Sequence, residues 1–273
     1  MKKPIPIVTS QSLKKTTKTT DVPPWIITLY GPSGIGKSSF GAQFSNCGFL
    51  IGAKERGIQI LSKYQRVPDI KYLWEADDWI DALCILENVP KDCETLVIDS
   101  LTILETMCFT HHCNEEFDGD WSSEGFLAFQ RGPKNASRTE WPKFTEAVEE
   151  LNNRGMNVLM IAHSKQKMYS NPIGSDYEIF CPTLENPTWD AVHPFSHAVL
   201  FYRNYVEVVE AKGIKKGKAS DDEGGRNIYT EASPAYFAKN WMGLSPIIDA
   251  GTSAEEAHQN FTNALQKAYS KKR

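Results

Sequence analysis

The chain has 273 residues, 41% of them hydrophobic and 23% charged, which excludes a wholly disordered chain, a collagen-like repeat and a coiled coil. No apolar run reaches the ~18 residues of a membrane-spanning helix, and no apolar stretch follows the N-terminal lysines as a secretory signal requires. The net charge of −4 hides an uneven spread, because residues 1–22 and residues 267–273 carry +4 apiece and leave −12 on the body; any nucleic-acid contact is therefore local, not a general cationic coat.

Residues 1–22 are rich in Thr, Lys, Ser and Pro and show no period of 2 or 3.6, so they read as a flexible basic arm. The run 25–30 is apolar between Pro and Gly, the pattern of a buried strand. A Gly-rich turn and a short helix over 37–44 follow. Strands are expected at 48–52, 70–74 and 95–99, with a helix over 77–87 between the last two. A helix over 101–112 places Leu101, Leu104 and Cys108 on one face. The polar, Gly-containing stretch 114–138 reads as a long loop, of the kind that is usually functional or mobile in compact domains. An amphipathic helix over 141–154 ends before Gly155. A buried strand at 157–162 leads into a second irregular stretch, 164–187. Strands are expected at 198–202 and 205–209, a hairpin-like pattern at 227–231, and a last amphipathic helix at 254–269. Wholly apolar strands alternating with helices predict an α/β fold: a mostly parallel central sheet flanked by helices.

The most informative string is Gly31-Pro32-Ser33-Gly34-Ile35-Gly36-Lys37-Ser38-Ser39, which fits G-x-x-x-x-G-K-[ST] and stands between a strand and a helix. Its glycines let backbone N–H groups converge on a phosphate. Lys37 supplies a charge to the outer phosphates, Ser38 a hydroxyl to Mg²⁺, and the helix its positive end. The strand Leu96-Val97-Ile98-Asp99 ends in the acid that would hold Mg²⁺ through water. Ser100, not Glu, follows Asp99, so a water-activating base must come from elsewhere; Glu55, just after the second strand, is the candidate. His163, at the end of 157–162, stands where ligands of open α/β sheets bind and could sense a γ-phosphate. The cofactors expected are ATP and Mg²⁺.

These strings, together with Ala198–Phe201 and Arg226–Leu244, carry a resemblance over about 24–250. The chain resembles the RecA-type ATPases, and more closely the phage-encoded AAA-family proteins described as RecA-like single-strand annealing proteins. The resemblance implies a P-loop NTPase with a RecA-like core at 23–250, an arm at 1–22, and a helix with a basic tail at 251–273. It implies that Glu55 is the catalytic glutamate, that His163 couples ATP to a DNA-binding loop, and that Lys239 reaches a neighbouring subunit's ATP. A homo-oligomer in the host cytoplasm, off the membrane, binding single-stranded DNA in recombination or annealing, follows from it. The chain departs from relatives at Trp241, where a basic residue is usual, and at His197, where an acid is.

In RecA-like folds the stretches 114–138 and 164–187 contact single-stranded DNA. Here they hold Trp121, Phe126, Phe129, Arg131, Lys134 and Arg138, then Lys165, Lys167 and Tyr169, aromatics interleaved with cations that suit base stacking and backbone contact. Lys212, Lys215, Lys216 and Lys218 are partly cancelled by Asp221, Asp222 and Glu223, and read as a solvated hairpin tip. Cys108, His111, His112 and Cys113 crowd six residues of one helix, a spacing that does not converge tetrahedrally on zinc. Two other classes share the phosphate loop: a phosphoryl-transfer kinase, which needs an arginine-rich lid that the chain does not display, and a non-hydrolysing nucleotide-dependent binding or packaging module.

Overall fold

The computed structural model describes residues 22–53, 55–205, 207–209, 218–220 and 225–270. The basic arm before residue 22, the Lys212–Lys216 part of the basic loop and the last three residues of the tail lie outside the described residues.

In chain order the elements are β1 (Ile26–Gly31), α1 (Lys37–Gly41), β2 (Cys47–Gly52), α2 (Gly57–Lys63), β3 (Tyr72–Ala76), α3 (Trp79–Glu87), β4 (Thr95–Asp99) and α4 (Leu101–Glu116). Then come α5 (Arg131–Thr139), α6 (Trp141–Asn153), β5 (Asn157–Tyr169), β6 (Tyr177–Pro182), α7 (Asn186–Val192), β7 (Ala198–Asn204), β8 (Glu207–Val209) and β9 (Lys218–Ser220). The chain finishes with β10 (Arg226–Tyr229), β11 (Lys239–Asn240), β12 (Ile247–Gly251) and α8 (Ala254–Ser270). The main sheet runs β12-β10-β7-β1-β5-β4-β2-β3, with β11 paired to β7 and β6 to β5. From β7 to β3 every pairing along this path is parallel; β10 and β12 close one edge antiparallel.

Both faces of the sheet are covered, which is why its strands read as continuous apolar runs. Along β1, Ile26 and Tyr30 enter one core and Ile27 and Leu29 the other. The first core lies under α3, α4 and α6 and holds Trp79, Trp141, Phe144 and Leu104. The second lies under α1 and α8, where Phe40, Trp25 and Phe261 meet edge to face at 5.5 and 6.1 Å. Ala257, Phe261 and Leu265, the apolar stripe of the last helix, are buried here.

Two stretches differ from the sequence expectation. The supposed loop 114–138 contains the exposed basic helix α5. Gly132 and Pro133 look like breakers, yet both lie in its first turn, where Pro is tolerated because its missing N–H would be unpaired anyway. The supposed irregular stretch 164–187 is a hairpin: β5 runs on past the sheet to Tyr169 and pairs antiparallel with β6, from Ser164↔Pro182 to Tyr169↔Tyr177. His163 therefore lies mid-strand and not at a strand end. Smaller shifts move the third strand to Tyr72–Ala76 and stop the first helix at Gly41.

The α3, α4 and α6 layer is tied by a buried carboxylate. Glu140 accepts from the Trp79 indole N–H at 3.0 Å and from Lys143 Nζ at 2.9 Å. Burial pushes its carboxyl up, but these donors outweigh it and hold the group below the usual range. Its contribution is thus present at neutral pH and is lost as pH falls through the carboxylate range. Glu140→Ala strands the indole N–H and is expected to lower unfolding stability by about 2–4 kcal/mol, read from the urea midpoint.

Candidate active site

The phosphate loop leaves β1 at Gly31. A Cβ there would sit 2.1 Å from the Tyr202 carbonyl oxygen, so only glycine lets β1 end this close to β7. Gly34 and Gly36 hold φ of 78° and 103°, which side chains rarely adopt. Among the described residues nothing accepts from the N–H groups of Gly34, Ile35 or Gly36. Free donors converging in a curled loop, with Gly34 exposed, Gly36 half-buried and Ile35 buried, are what an anion requires.

Lys37 opens α1 and is buried, 5% exposed. Its Nζ donates to the Gly31 and Pro32 carbonyls at 2.9 and 2.8 Å. Burial pulls the ammonium down to about 8, although Asp99 and Glu55 favour the charged form. Ser38 Oγ donates to Asp99 Oδ2 at 2.5 Å, bringing the two expected Mg²⁺ groups together. Burial raises the Asp99 carboxyl, with Ser38 opposing. The pair offers hard oxygens and no soft ligand, which fits Mg²⁺. When bound there, that ion would supply positive charge against the phosphate oxygens of the nucleotide.

Register explains how distant residues meet. Gly31 faces His163 across β1 and β5, and Asp99 faces Ile161 and Ile51 across β4 and its neighbours. Glu55 follows β2, its N–H donating to Gly52 O at 2.8 Å. Its Oε1 lies 3.4 Å from His163 Nε2 and accepts from Ser100 Oγ at 3.3 Å. The bond to His163 is the chief reason its carboxyl lies below the usual range; burial opposes it. His163 is fixed through its backbone: its N–H donates to Thr102 Oγ1 at 3.4 Å and its carbonyl accepts from Thr183 N–H at 2.7 Å.

The structure thus brings together Lys37, Ser38, Asp99, Glu55 and His163 at the carboxyl ends of the parallel strands. Lys239 is elsewhere. It pairs with Val199 near the start of β7, at the opposite end of the sheet. Its Nζ donates to the His193 and Pro194 carbonyls and lies 3.4 Å from the centre of the exposed Trp241 ring. His197 stands beside it, accepting from the Ile26 N–H through Nδ1. Sequence reasoning missed Ser100, Thr102 and Arg226. Ser100 could have been found as the polar neighbour of Asp99. Arg226, whose Nη1 donates to the Ile35 carbonyl at 3.0 Å, had no local signal because it is 191 residues away.

A family model described as an AAA domain matches residues 23–241. The chain belongs to this AAA-domain family. The match spans the phosphate loop, Asp99, Glu55 and His163, so nucleotide binding and ATPase chemistry are the activity class of this AAA domain, typically with Mg²⁺. No curated protein matches the chain. Among the described residues no helix of the AAA domain is long and apolar enough to cross a membrane.

Of the aromatic and basic residues of 114–138, Phe126 is buried in a cluster with Phe109, Phe117 and Trp121. Phe129 is 97% exposed. It lines an open depression of about 630 Å³ with Glu124, Arg131, Lys134 and Arg138. No carboxylate among the described residues pairs with these three cations. On the hairpin, Lys165 and Lys167 are tied to Leu184 O and Asn186 Oδ1, while Met168, Tyr169 and Ile173 are exposed.

Proposed function

We propose that this AAA domain is a RecA-like, Mg²⁺-dependent ATPase that binds single-stranded DNA and assists recombination or annealing. The observation that carries the reading is the meeting of Glu55, Ser100 and His163 beside a loop that holds Lys37 and the Ser38–Asp99 pair. ATP lies on residues 31–39. Lys37 holds the outer phosphates, Ser38 and Asp99 hold Mg²⁺, and the ionised Glu55 orients and deprotonates the attacking water. Catalysis is positioning plus charge stabilisation.

His163 has a Glu55 partner on its ring and continues through one unbroken strand to the hairpin tip. A ring that responds to the terminal phosphate can thereby bias the hairpin. The exposed Phe129 with Arg131, Lys134 and Arg138 supports a second DNA surface, stacking bases and tracking phosphates. A phage source, a homo-oligomer in the host cytoplasm and a role for Lys239 at a neighbour's ATP complete the reading.

The test is ATPase activity with and without single-stranded DNA across a salt series. Stimulation that fades steeply between 50 and 200 mM salt, on the scale expected of a few phosphate contacts, is the expected result. Hydrolysis that ignores DNA overturns the DNA role. ATP binding with no turnover under any condition favours the non-hydrolysing module.

A further inference from the structure

The phosphate loop occupies the carboxyl rim of the sheet. The opposite rim, where the parallel strands β1 and β7 begin, holds an apolar cavity of about 270 Å³. Val22, Trp25, His197, Trp241, Leu265 and Tyr269 line it. The volume is room for a few side chains. Val22, Leu265 and Tyr269 lie outside residues 23–241, so the cavity forms where flanking segments meet the AAA domain.

The walls of this cavity are built in advance. Asn240 fixes the turn that presents Trp241: its Oδ1 accepts from the Gly243 and Leu244 N–H groups at 3.0 Å each, and its Nδ2 donates to the Leu244 carbonyl at 2.9 Å. Lys239, itself held by two carbonyls, backs the indole ring. Yet Trp241 is 65% exposed. A large ring fixed in water is surface that a covering segment can remove from solvent at little further ordering cost. His197 adds a polar group. Its Nδ1 accepts from the Ile26 N–H at 3.2 Å, which leaves the ring proton on Nε2. Burial and the nearby Lys239 hold this imidazole below the usual histidine range, so it is neutral at pH 7. Among the described residues neither that Nε2–H nor the Trp241 indole N–H has an acceptor.

The chain supplies an occupant. Val22, in the wall, is the first described residue, so residues 1–21 lead directly into the cavity. Their one continuous apolar run is Pro4-Ile5-Pro6-Ile7-Val8. Its two prolines fix φ and push the residues before them toward extended backbone, which favours polyproline II. That conformer keeps its carbonyls unpaired and is the shape that aromatic-lined grooves recognise. A linker as long as residues 9–21 spans roughly 20 Å as a coil, which holds the run near the cavity at about millimolar effective concentration. The tail after α8, Lys271-Lys272-Arg273, is wholly charged and does not match an apolar cavity. We propose that residues 4–8 dock in this cavity of their own chain, Ile5 and Ile7 packing against Trp241 and Tyr269 while a carbonyl of the run accepts from His197 Nε2–H. The docked run covers the exposed indole and ties the basic arm to the rim farthest from the phosphate loop, whether or not a nucleotide is bound.

The test is photo-cross-linking of the full chain carrying Ile7→p-benzoylphenylalanine, followed by peptide mapping over a range of protein concentrations. The expected product joins residue 7 to peptides holding residues 239–243 or 265–270 within one chain, at a yield that does not change with concentration. Two further changes are added separately to this chain. Trp241→Glu replaces an exposed ring, and Ile5→Asp alters the arm while leaving the cavity untouched. Each is expected to lower the yield of that product about fivefold or more, the scale of losing one buried apolar side chain. Because Ile5 lies outside the described fold, its effect does not depend on how well the cavity tolerates substitution. Products that join two chains, with a yield rising with concentration, place the run on a second copy and overturn the proposal. So do products mapped only to other surfaces, no product at all, or an unchanged yield in both variants.

Discussion

Glu55→Gln is expected to bind ATP within about twofold of the unsubstituted chain and to turn it over about 10²–10⁴-fold more slowly. The substitution keeps the shape of the side chain and an oxygen for the Ser100 hydroxyl, which donates at 3.3 Å. What it removes is the negative charge. That charge is well developed at neutral pH, because the bond to His163 holds the carboxyl below its usual range against the opposing effect of burial. A general base in that state can take a proton from water, whereas an amide cannot. The same ionisation fixes the pH sign. As pH falls, activity through Glu55 persists down to the lowered carboxyl value and only then declines. Steady-state hydrolysis together with a fluorescent-nucleotide titration separates the two effects. Unchanged turnover would move the base to another residue. Lost binding would make Glu55 a structural partner of His163.

Much of this site was legible because its signals are local. The phosphate loop is contiguous, the apolar run 95–99 ends in its acid, and a fully covered parallel sheet shows itself as uniformly apolar strands. The sheet then does the rest: register places Gly31 opposite His163 and Asp99 opposite Ile51, so strand ends that are far apart in sequence converge on one rim. The misread parts have a common cause. The outer half of β5 projects beyond the covered sheet, so its residues are half-buried or exposed, mostly polar, and carry no buried-strand pattern. Helix α5 has three basic residues among nine and buries only the small Gly132, Pro133 and Ala136, so it shows no stripe of large apolar residues. Arg226 and Ser100 act through hydrogen bonds to partners fixed only by the tertiary fold, and a linear sequence has no period that reports such bonds. Lys239 shows the opposite limit. Resemblance gave it a role at a neighbour's ATP, while within its own chain it serves the carbonyls of His193 and Pro194 at the far end of the sheet.

Lys37→Met is expected to weaken ATP binding at least 100-fold and, at the same time, to make the folded chain more stable. The first effect follows from removing the one buried cation of the loop from beside a triphosphate, where charge-assisted bonds are strongest. The second follows from the cost of keeping that cation dry. Its pKa falls from 10.5 to about 8 on folding, chiefly through burial, with Asp99 and Glu55 recovering only part. The unfolded chain therefore holds a proton that the folded chain releases between those values. Stability through this group must rise with pH across that window, by about 3 kcal/mol in all. At pH 7 the unsubstituted chain carries the full cost and the methionine variant does not. Loss of the bonds to the Gly31 and Pro32 carbonyls, about 1 kcal/mol each, offsets part of the gain. The net expectation is about 1–3 kcal/mol in favour of the variant at pH 7, shrinking toward pH 10 as the unsubstituted chain catches up. Urea titrations of both chains at pH 7, 8.5 and 10 measure this directly. A variant that is less stable at pH 7, with a difference that ignores pH, would mean that the loop carbonyls compensate the ammonium fully. The phosphate loop would then hold no stored electrostatic cost for a nucleotide to relieve.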